Sequence, residues 1–210
     1  YGNVYISVTI PEGSHRREIA QILERSKLEI DSSEFLSLTT ELEGYLFPDT
    51  YRFLPGTTAK DIVEELSETF AEKTKNISST RSLSDIITMA SIVEKEANSD
   101  PQEMAMVAGI LWKRIEVGMP LQVDAPFLFS SGKTSAQLTT GDLRADGNYN
   151  TYTNKGLTPT PIGNPGLQAI TATINPIDSV YFFYLHDNNG GIHYGVTHND
   201  HVNNKNTYLR

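Results

Sequence analysis

Ser82-Leu83-Ser84-Asp85-Ile86-Ile87-Thr88-Met89-Ala90-Ser91-Ile92-Val93-Glu94-Lys95-Glu96-Ala97 is the stretch from which the rest of the chain can be placed. Ile86, Met89, Ala90, Val93 and Ala97 recur at helical spacing, and Ser82 followed by Asp85 has the form of an N-terminal cap. The stretch therefore predicts a helix with a buried face. Its acids need a separate account. At about 100° per residue, Glu96 projects into the sector of Met89, Ile92 and Val93, while Glu94 points almost opposite, near Ile87, Ala90 and Ser91. Neither carboxyl has a polar sector to itself. A carboxyl surrounded by apolar groups tends to hold its proton, the property a general acid needs at neutral pH. The competing reading is a solvated last turn, or an ion pair with Lys95; for a helix taken alone that is the commoner outcome.

Working outward, Asn98-Ser99-Asp100-Pro101 stops this helix and starts another. Asp100 caps, Pro101 takes the first helical position and Glu103 the third, so a helix carries Met104, Val107, Ala108, Leu111 and Ile115 inward and ends at Gly118. The two helices are expected to form a hairpin that brings Glu96 and Asn98 to a tight corner. On the other side, residues 76–81 are a polar connector and the best boundary in the chain. Before it, Val4 to Ile10 alternates as a strand, Ser14 is expected to cap a helix through Ile19 and Leu23, and a short helix follows Asp31 through Phe35 and Leu38. Ile10-Pro11-Glu12-Gly13-Ser14 leading to Ile19 is echoed by Phe53-Leu54-Pro55-Gly56-Thr57 leading to Ile62, each position recurring 43 residues on. A true repeat and convergent turn-and-cap chemistry account for this equally well. A helix from Thr58 through Phe70 ends near Thr74.

From Met119 to Pro165 periodicity fades into polar, aromatic, Gly and Pro residues, which reads as an ordered loop system. A helical pattern resumes over Leu167 to Thr173. Val180 to Leu185 and Ile192 to Val196, joined by Asp187-Asn188-Asn189-Gly190-Gly191, predict a hairpin. The polar tail from Asn199 reads as helical or frayed. Strands and helices in this order describe an α+β chain.

Composition narrows the chemistry. The formal net charge is −9 and the 17 Lys and Arg are scattered, which argues against a nucleic-acid surface or an anionic-membrane footprint. With no Cys there are no disulfides, thiolate metal sites or cysteine nucleophiles. No apolar run reaches the roughly 18 residues of a membrane helix. The chain begins at Tyr1 without an initiator Met or signal-like segment, which leaves room for targeting or anchoring sequence upstream. Gly132-Lys133-Thr134 lacks the upstream Gly and strand of a phosphate loop, and no G-x-S-x-G elbow occurs. His186, His193, His198 and His201 lack metal-site spacing and read as surface histidines on a hairpin, so no metal and no cofactor is expected. What remains is acid chemistry from Glu96 or Glu94 beside polar and aromatic loops. Tyr149 and Tyr152, set among Asn, Thr and Gly, suit the apolar faces and hydroxyls of a sugar. Tyr181 to Tyr184 read as core packing.

Several segments are together recognisable: residues 42–51 (Leu-Glu-Gly-Tyr-Leu-Phe-Pro-Asp-Thr-Tyr), 90–97 (Ala-Ser-Ile-Val-Glu-Lys-Glu-Ala), 118–124 (Gly-Met-Pro-Leu-Gln-Val-Asp), Tyr149-Asn150-Thr151-Tyr152 continuing to Gly156-Leu157, and Asn164-Pro165-Gly166. In this order they resemble the endolytic murein transglycosylases, the YceG-like lytic transglycosylases of bacterial cell walls. Ala125-Pro126 and Thr158 depart from the family's pattern. The resemblance implies cleavage of the β-1,4 bond between N-acetylmuramic acid and N-acetylglucosamine within glycan strands, without water, leaving 1,6-anhydro ends. It places the catalytic acid at Glu96, with Glu94 as a second acid or orienting partner. It further implies substrate contacts from Tyr45 and Asp49, from Asn98, from Gln122 and Asp124, from Tyr149, Asn150, Thr151 and Tyr152, and from Asn164. A LysM-like α/β subdomain with a connecting helix is expected over residues 1–80, and a mixed α+β catalytic domain over residues 81–210. The implied partners are peptidoglycan glycan strands and peptidoglycan synthases of the elongation or division machinery. The implied location is the extracytoplasmic face of the cell membrane, through a single-pass N-terminal anchor outside this chain. The alternatives are a non-catalytic peptidoglycan-binding module and a glycoside hydrolase releasing reducing ends.

Overall fold

A strand that leaves through Pro and Gly into a capped helix is the local solution this chain uses first, and it uses it twice. In the computed structural model, which describes residues 4–209, β1 (Ile6–Thr9) leads through Gly13 to α1 (Arg16–Arg25), and β2 (Thr50–Phe53) leads through Gly56 to α3 (Ala59–Thr74). Both glycines have positive φ, 74° and 88°. Both helices open with a capping box, His15 with Glu18 and Thr58 with Asp61. The recurrence at 43 residues thus extends to backbone conformation and cap. The first cap is His15 rather than Ser14. Ser14 is buried, and its carbonyl accepts the N–H of Asn164 at 3.0 Å, which fixes it one residue ahead of the cap.

Two compact units make up the chain. One comprises the residues through Glu94 with Thr160–Ile170; the other comprises Lys95–Pro159 and Thr171 onward. Two of the three divisions fall inside α4 (Leu83–Glu96) and α7 (Leu167–Ile174), and the third lies between Pro159 and Thr160. In the first unit β1 and β2 pair antiparallel, Ile6 opposite Phe53 and Thr9 opposite Thr50, with α1 and α2 (Ser32–Leu38) between them in sequence. Ile10, Ile19, Leu23, Phe35, Leu46, Ile62 and Leu66 are fully buried in its core. Truncating one of them, such as Ile62→Ala, removes contacts on every side and costs about 2–5 kcal/mol. Ser82 caps α4 as its position implies, accepting the Asp85 N–H at 3.1 Å.

In the second unit α5 (Pro101–Glu116) begins where expected, with the Asp100 carboxylate accepting the Glu103 N–H at 2.8 Å. Gly109 sits mid-helix because a Cβ there would lie 2.0 Å from the Ile177 carbonyl oxygen. The stretch from Met119 to Pro165 is more regular than its sequence implies. It contains a short helix, α6 (Ala125–Ser131), and two 3-10 turns at Ser135–Gln137 and Asp142–Arg144. The helix is only two turns long, so no apolar stripe betrays it. β3 (Phe183–His186) and β4 (Ile192–Gly195) form the expected hairpin, Phe183 opposite Gly195. The tail is an ordered helix, α8 (His198–Tyr208), opened by a capping box of Thr197 and Asp200. The architecture is α+β, and no helix among the described residues is long and apolar enough to cross a membrane.

Candidate active site

Glu96 is the last residue of α4 and belongs to the second unit. Its half-buried carboxyl lines a cleft of about 370 Å³ together with Arg114 of α5, Gln122 to Asp124, Tyr152, Phe183 and Tyr184 of β3, and His198, His201 and Lys205 of α8. The loop wall is built by short-range pairing. Gln122 adopts a left-handed φ of 52°, its N–H donates to the Thr151 carbonyl at 3.0 Å, and the Thr151 hydroxyl bridges the Val123 carbonyl and N–H at 2.7 and 3.0 Å. A non-glycine residue held at positive φ is strained, and such strain gathers at functional sites. Asp124 stands at the cap position of α6 without capping it; its carboxylate instead accepts the Tyr152 hydroxyl at 2.7 Å.

A second hydroxyl–carboxyl pair faces the first. The Tyr184 hydroxyl donates to Glu96 at 3.0 Å. Burial pushes the Glu96 carboxyl up to about 7; the Tyr184 hydrogen bond opposes this, the Asp124 charge adds to it, and the Ala125 N–H and His186 oppose it. Burial likewise pushes both tyrosine hydroxyls up, so they remain donors at neutral pH. Arg114 is 5% exposed, and its guanidinium donates to the Phe182 carbonyl at 2.7 Å and to the Leu121 carbonyl, over the ring of Phe183. Its burial lowers its pKa, opposed by Tyr184 and Glu96. A carboxyl that titrates near 7, with a hydroxyl donor on one oxygen, can give a proton to a leaving oxygen and take one back.

The sequence-derived candidates divide in four. Glu96, Gln122, Asp124 and Tyr152 line the cleft. Asn150 and Thr151 are buried behind it; the Asn150 amide donates to the Asp142 and Ala145 carbonyls and accepts the Tyr152 N–H, so it holds the loop. Tyr149 packs on Phe129 at 5.6 Å between ring centres, and Asn98 is exposed, bonded to Glu103 and the Gly190 carbonyl. Tyr45, Asp49, Glu94 and Asn164 belong to the first unit. There Tyr45 meets the Phe70 ring edge-on, and Asp49 is exposed, 3.7 Å from Lys73. Glu94 accepts the Gly166 N–H at 2.9 Å. Asn164 is fully buried, linking the Leu46 N–H, the Ser14 carbonyl and Glu43.

Sequence reasoning passed over Arg114, Tyr184, His198, His201 and Lys205. The reading of Tyr184 as core packing is corrected, since its hydroxyl reaches Glu96 across 88 positions. Arg114 did leave a signal: it follows Leu111 by three and Val107 by seven, so it lies in the apolar stripe of α5, where a charge needs a reason. His186 pairs with Glu103 and His193 with Asp187, each at 2.8 Å. Among the described residues no group of three or more His, Asp or Glu is placed to hold a metal.

The model of the YceG-like family matches residues 2–207. The chain is 36% identical over 177 residues to a Bacillus subtilis (strain 168) protein named endolytic murein transglycosylase, covering 80% of this chain and 48% of that protein. It is 32% identical to a Streptococcus pneumoniae (strain D39) protein of the same name, covering 78% of this chain and 31% of that protein. The chain therefore spans about half, or less, of these relatives' length. Its structure is similar to the 2.6 Å crystal structure of a YceG-like protein of Listeria monocytogenes, with a TM-score of 0.82 and 27% identity, covering 94% of this chain and 75% of that one. Matched by the family model almost from end to end, this chain belongs to the YceG-like family.

Proposed function

We propose that the chain is the working part of an endolytic peptidoglycan lytic transglycosylase. The observation that carries this is Glu96, a carboxyl at a cleft wall pushed up to about 7 and held by the Tyr184 hydroxyl. The names of the B. subtilis and S. pneumoniae relatives support the same substrate. In the proposed reaction Glu96 gives its proton to the oxygen of the leaving N-acetylglucosamine as the bond from C1 of N-acetylmuramic acid breaks. The resulting carboxylate then takes the proton of the muramyl 6-hydroxyl as O6 closes on C1, and Glu96 is restored with no water consumed. One residue thus serves as acid and then as base, and Glu94, whose carboxylate meets the Gly166 N–H, has a structural part.

The wider setting follows from that substrate. Peptidoglycan lies outside the cell membrane, so the proposed location is extracytoplasmic, with a membrane anchor outside these residues, action alongside peptidoglycan synthases, and a role in glycan length control. The order β1-α1-α2-β2 with antiparallel strands supports a LysM-like subdomain within residues 1–80, ahead of a catalytic domain from residue 81.

A second reading, hydrolysis to a reducing end, is favoured by Asp124, because a second carboxylate in the same cleft can direct a water. Digestion of purified sacculi followed by mass spectrometry separates the readings. Anhydro ends with wild type and none with Glu96→Gln support the transglycosylase; reducing ends lost in Asp124→Asn support hydrolysis. Binding without any cleavage would leave a peptidoglycan-binding module.

A further inference from the structure

The chain carries a formal charge of −9, yet one side of its cleft gathers Arg114, His198, His201 and Lys205. Three features mark this side as unfinished. Arg114 is buried, and its partners are two backbone carbonyls; it has no carboxylate within ion-pair distance among the described residues. Burying a guanidinium without a counter-ion costs several kcal/mol, and carbonyl dipoles offset only part of that. Lys205 is exposed on α8, without an ion pair among the described residues. The Nδ1 atom of His201 is buried with no hydrogen-bond partner among them. The two acids of the cleft make no ion pair with these groups: Glu96 accepts the Tyr184 hydroxyl and Asp124 the Tyr152 hydroxyl, and Glu96 acts on Arg114 only through its charge at longer range.

We infer that the Arg114, His198 and Lys205 side of the cleft is a subsite for a carboxylate carried by the substrate beside the bond that Glu96 faces. This rests on the proposed function and deepens it. The N-acetylated sugars of a glycan strand are themselves uncharged, so an anion can come from two places: the lactyl ether carboxyl of a muramyl residue without peptide, or the free carboxyls of an attached peptide. Both offer the same group to the same donors. The cleft thereby reads substitution of the muramyl residue, while Tyr152 offers a face for its ring.

The test uses three strand preparations: with peptides intact, stripped of peptide so that the lactyl carboxyl is free, and stripped with that carboxyl converted to its methylamide. Dissociation constants are measured with Glu96→Gln, which blocks turnover, and again with His198→Gln and Lys205→Met added; both added sites are exposed, so the fold is kept. The expected result is weaker binding of at least one carboxylate-bearing preparation by about tenfold in the added variants, as for loss of a charged hydrogen bond, and no change for the methylamide. Whichever preparation loses affinity identifies the source of the carboxylate. Equal constants on all three, or equal loss on all three, overturn the subsite. Wild-type cleavage of the same preparations is scored separately. Discriminating binding with no cleavage of any strand upholds the subsite and overturns the proposed catalysis.

Discussion

Two glutamates in this protein are pushed up to about 7 by burial, one in each compact unit, and only one of them lines the cleft. Glu43, 7% exposed, accepts the Arg16 N–H with both oxygens at 3.1 and 3.3 Å and the Asn164 amide at 3.2 Å. It ties the first turn of α1 to the loop around Asn164, and its surroundings are complete. Glu96 has a comparable shift, but its neighbours are a tyrosine hydroxyl, a carboxylate and open volume. A perturbed carboxyl marks a chemical site when reactant can reach it; otherwise the same shift records the cost of a structural clasp.

The sharpest break of this comparison is to remove each acid in turn. Glu96→Gln is expected to lower turnover of glycan strands by about 10³-fold, as for loss of a general acid–base, while Glu43→Gln leaves turnover within a few-fold. Stability reverses the order. The Glu43 carboxyl rises from an ordinary 4.5 to about 7 on folding, so between these values the unfolded chain releases a proton that the folded chain keeps. Its contribution is intact below pH 4.5 and declines as pH rises through about 7. Unfolding free energies from urea titrations across that window should shift in favour of Glu43→Gln by roughly 3 kcal/mol relative to wild type.

Asn164→Ala should cost about 2–3 kcal/mol in the same measurement, because it strands the Leu46 N–H and a Ser14 carbonyl contact and removes a donor from Glu43. Tyr184→Phe sharpens the other side. It removes the hydrogen bond that favours the Glu96 carboxylate, so the alkaline limb of the pH–rate profile should move up and kcat fall by about tenfold. The smallest effect is expected from Asp124→Asn, whose lost charge no longer raises Glu96 and moves that limb down. A limb that stays in place in both variants would detach Glu96 from the profile.

Much of the fold could be read directly. Capping residues, turn glycines and periodic apolar positions specify α1 to α5 and the β3–β4 hairpin, because each signal acts within a few residues of chain, whereas the pairing of β1 with β2 joins distant positions. Reading failed where a local rule met a distant partner. Ser14 lost the cap to His15 because its backbone is engaged by Asn164. α6 leaves no trace in the sequence because two turns carry no stripe, and Tyr184 reads as core because nothing near it in sequence shows that its hydroxyl meets Glu96.

By itself the sequence determined that an apolar helix ends in two acids, that both lie in apolar sectors, and that the chain carries the motifs of its family. The family resemblance places the acid at Glu96, while helical projection leans only slightly that way, since it assigns directions and no neighbours. Tertiary structure separated the two glutamates. It set Glu94 against the Gly166 backbone and gave Glu96 a cleft, a tyrosine hydroxyl and a second carboxylate. Proton affinity depends on burial and on charges within a few ångströms, and in this chain those charges come from residues scattered from Asp124 to His186.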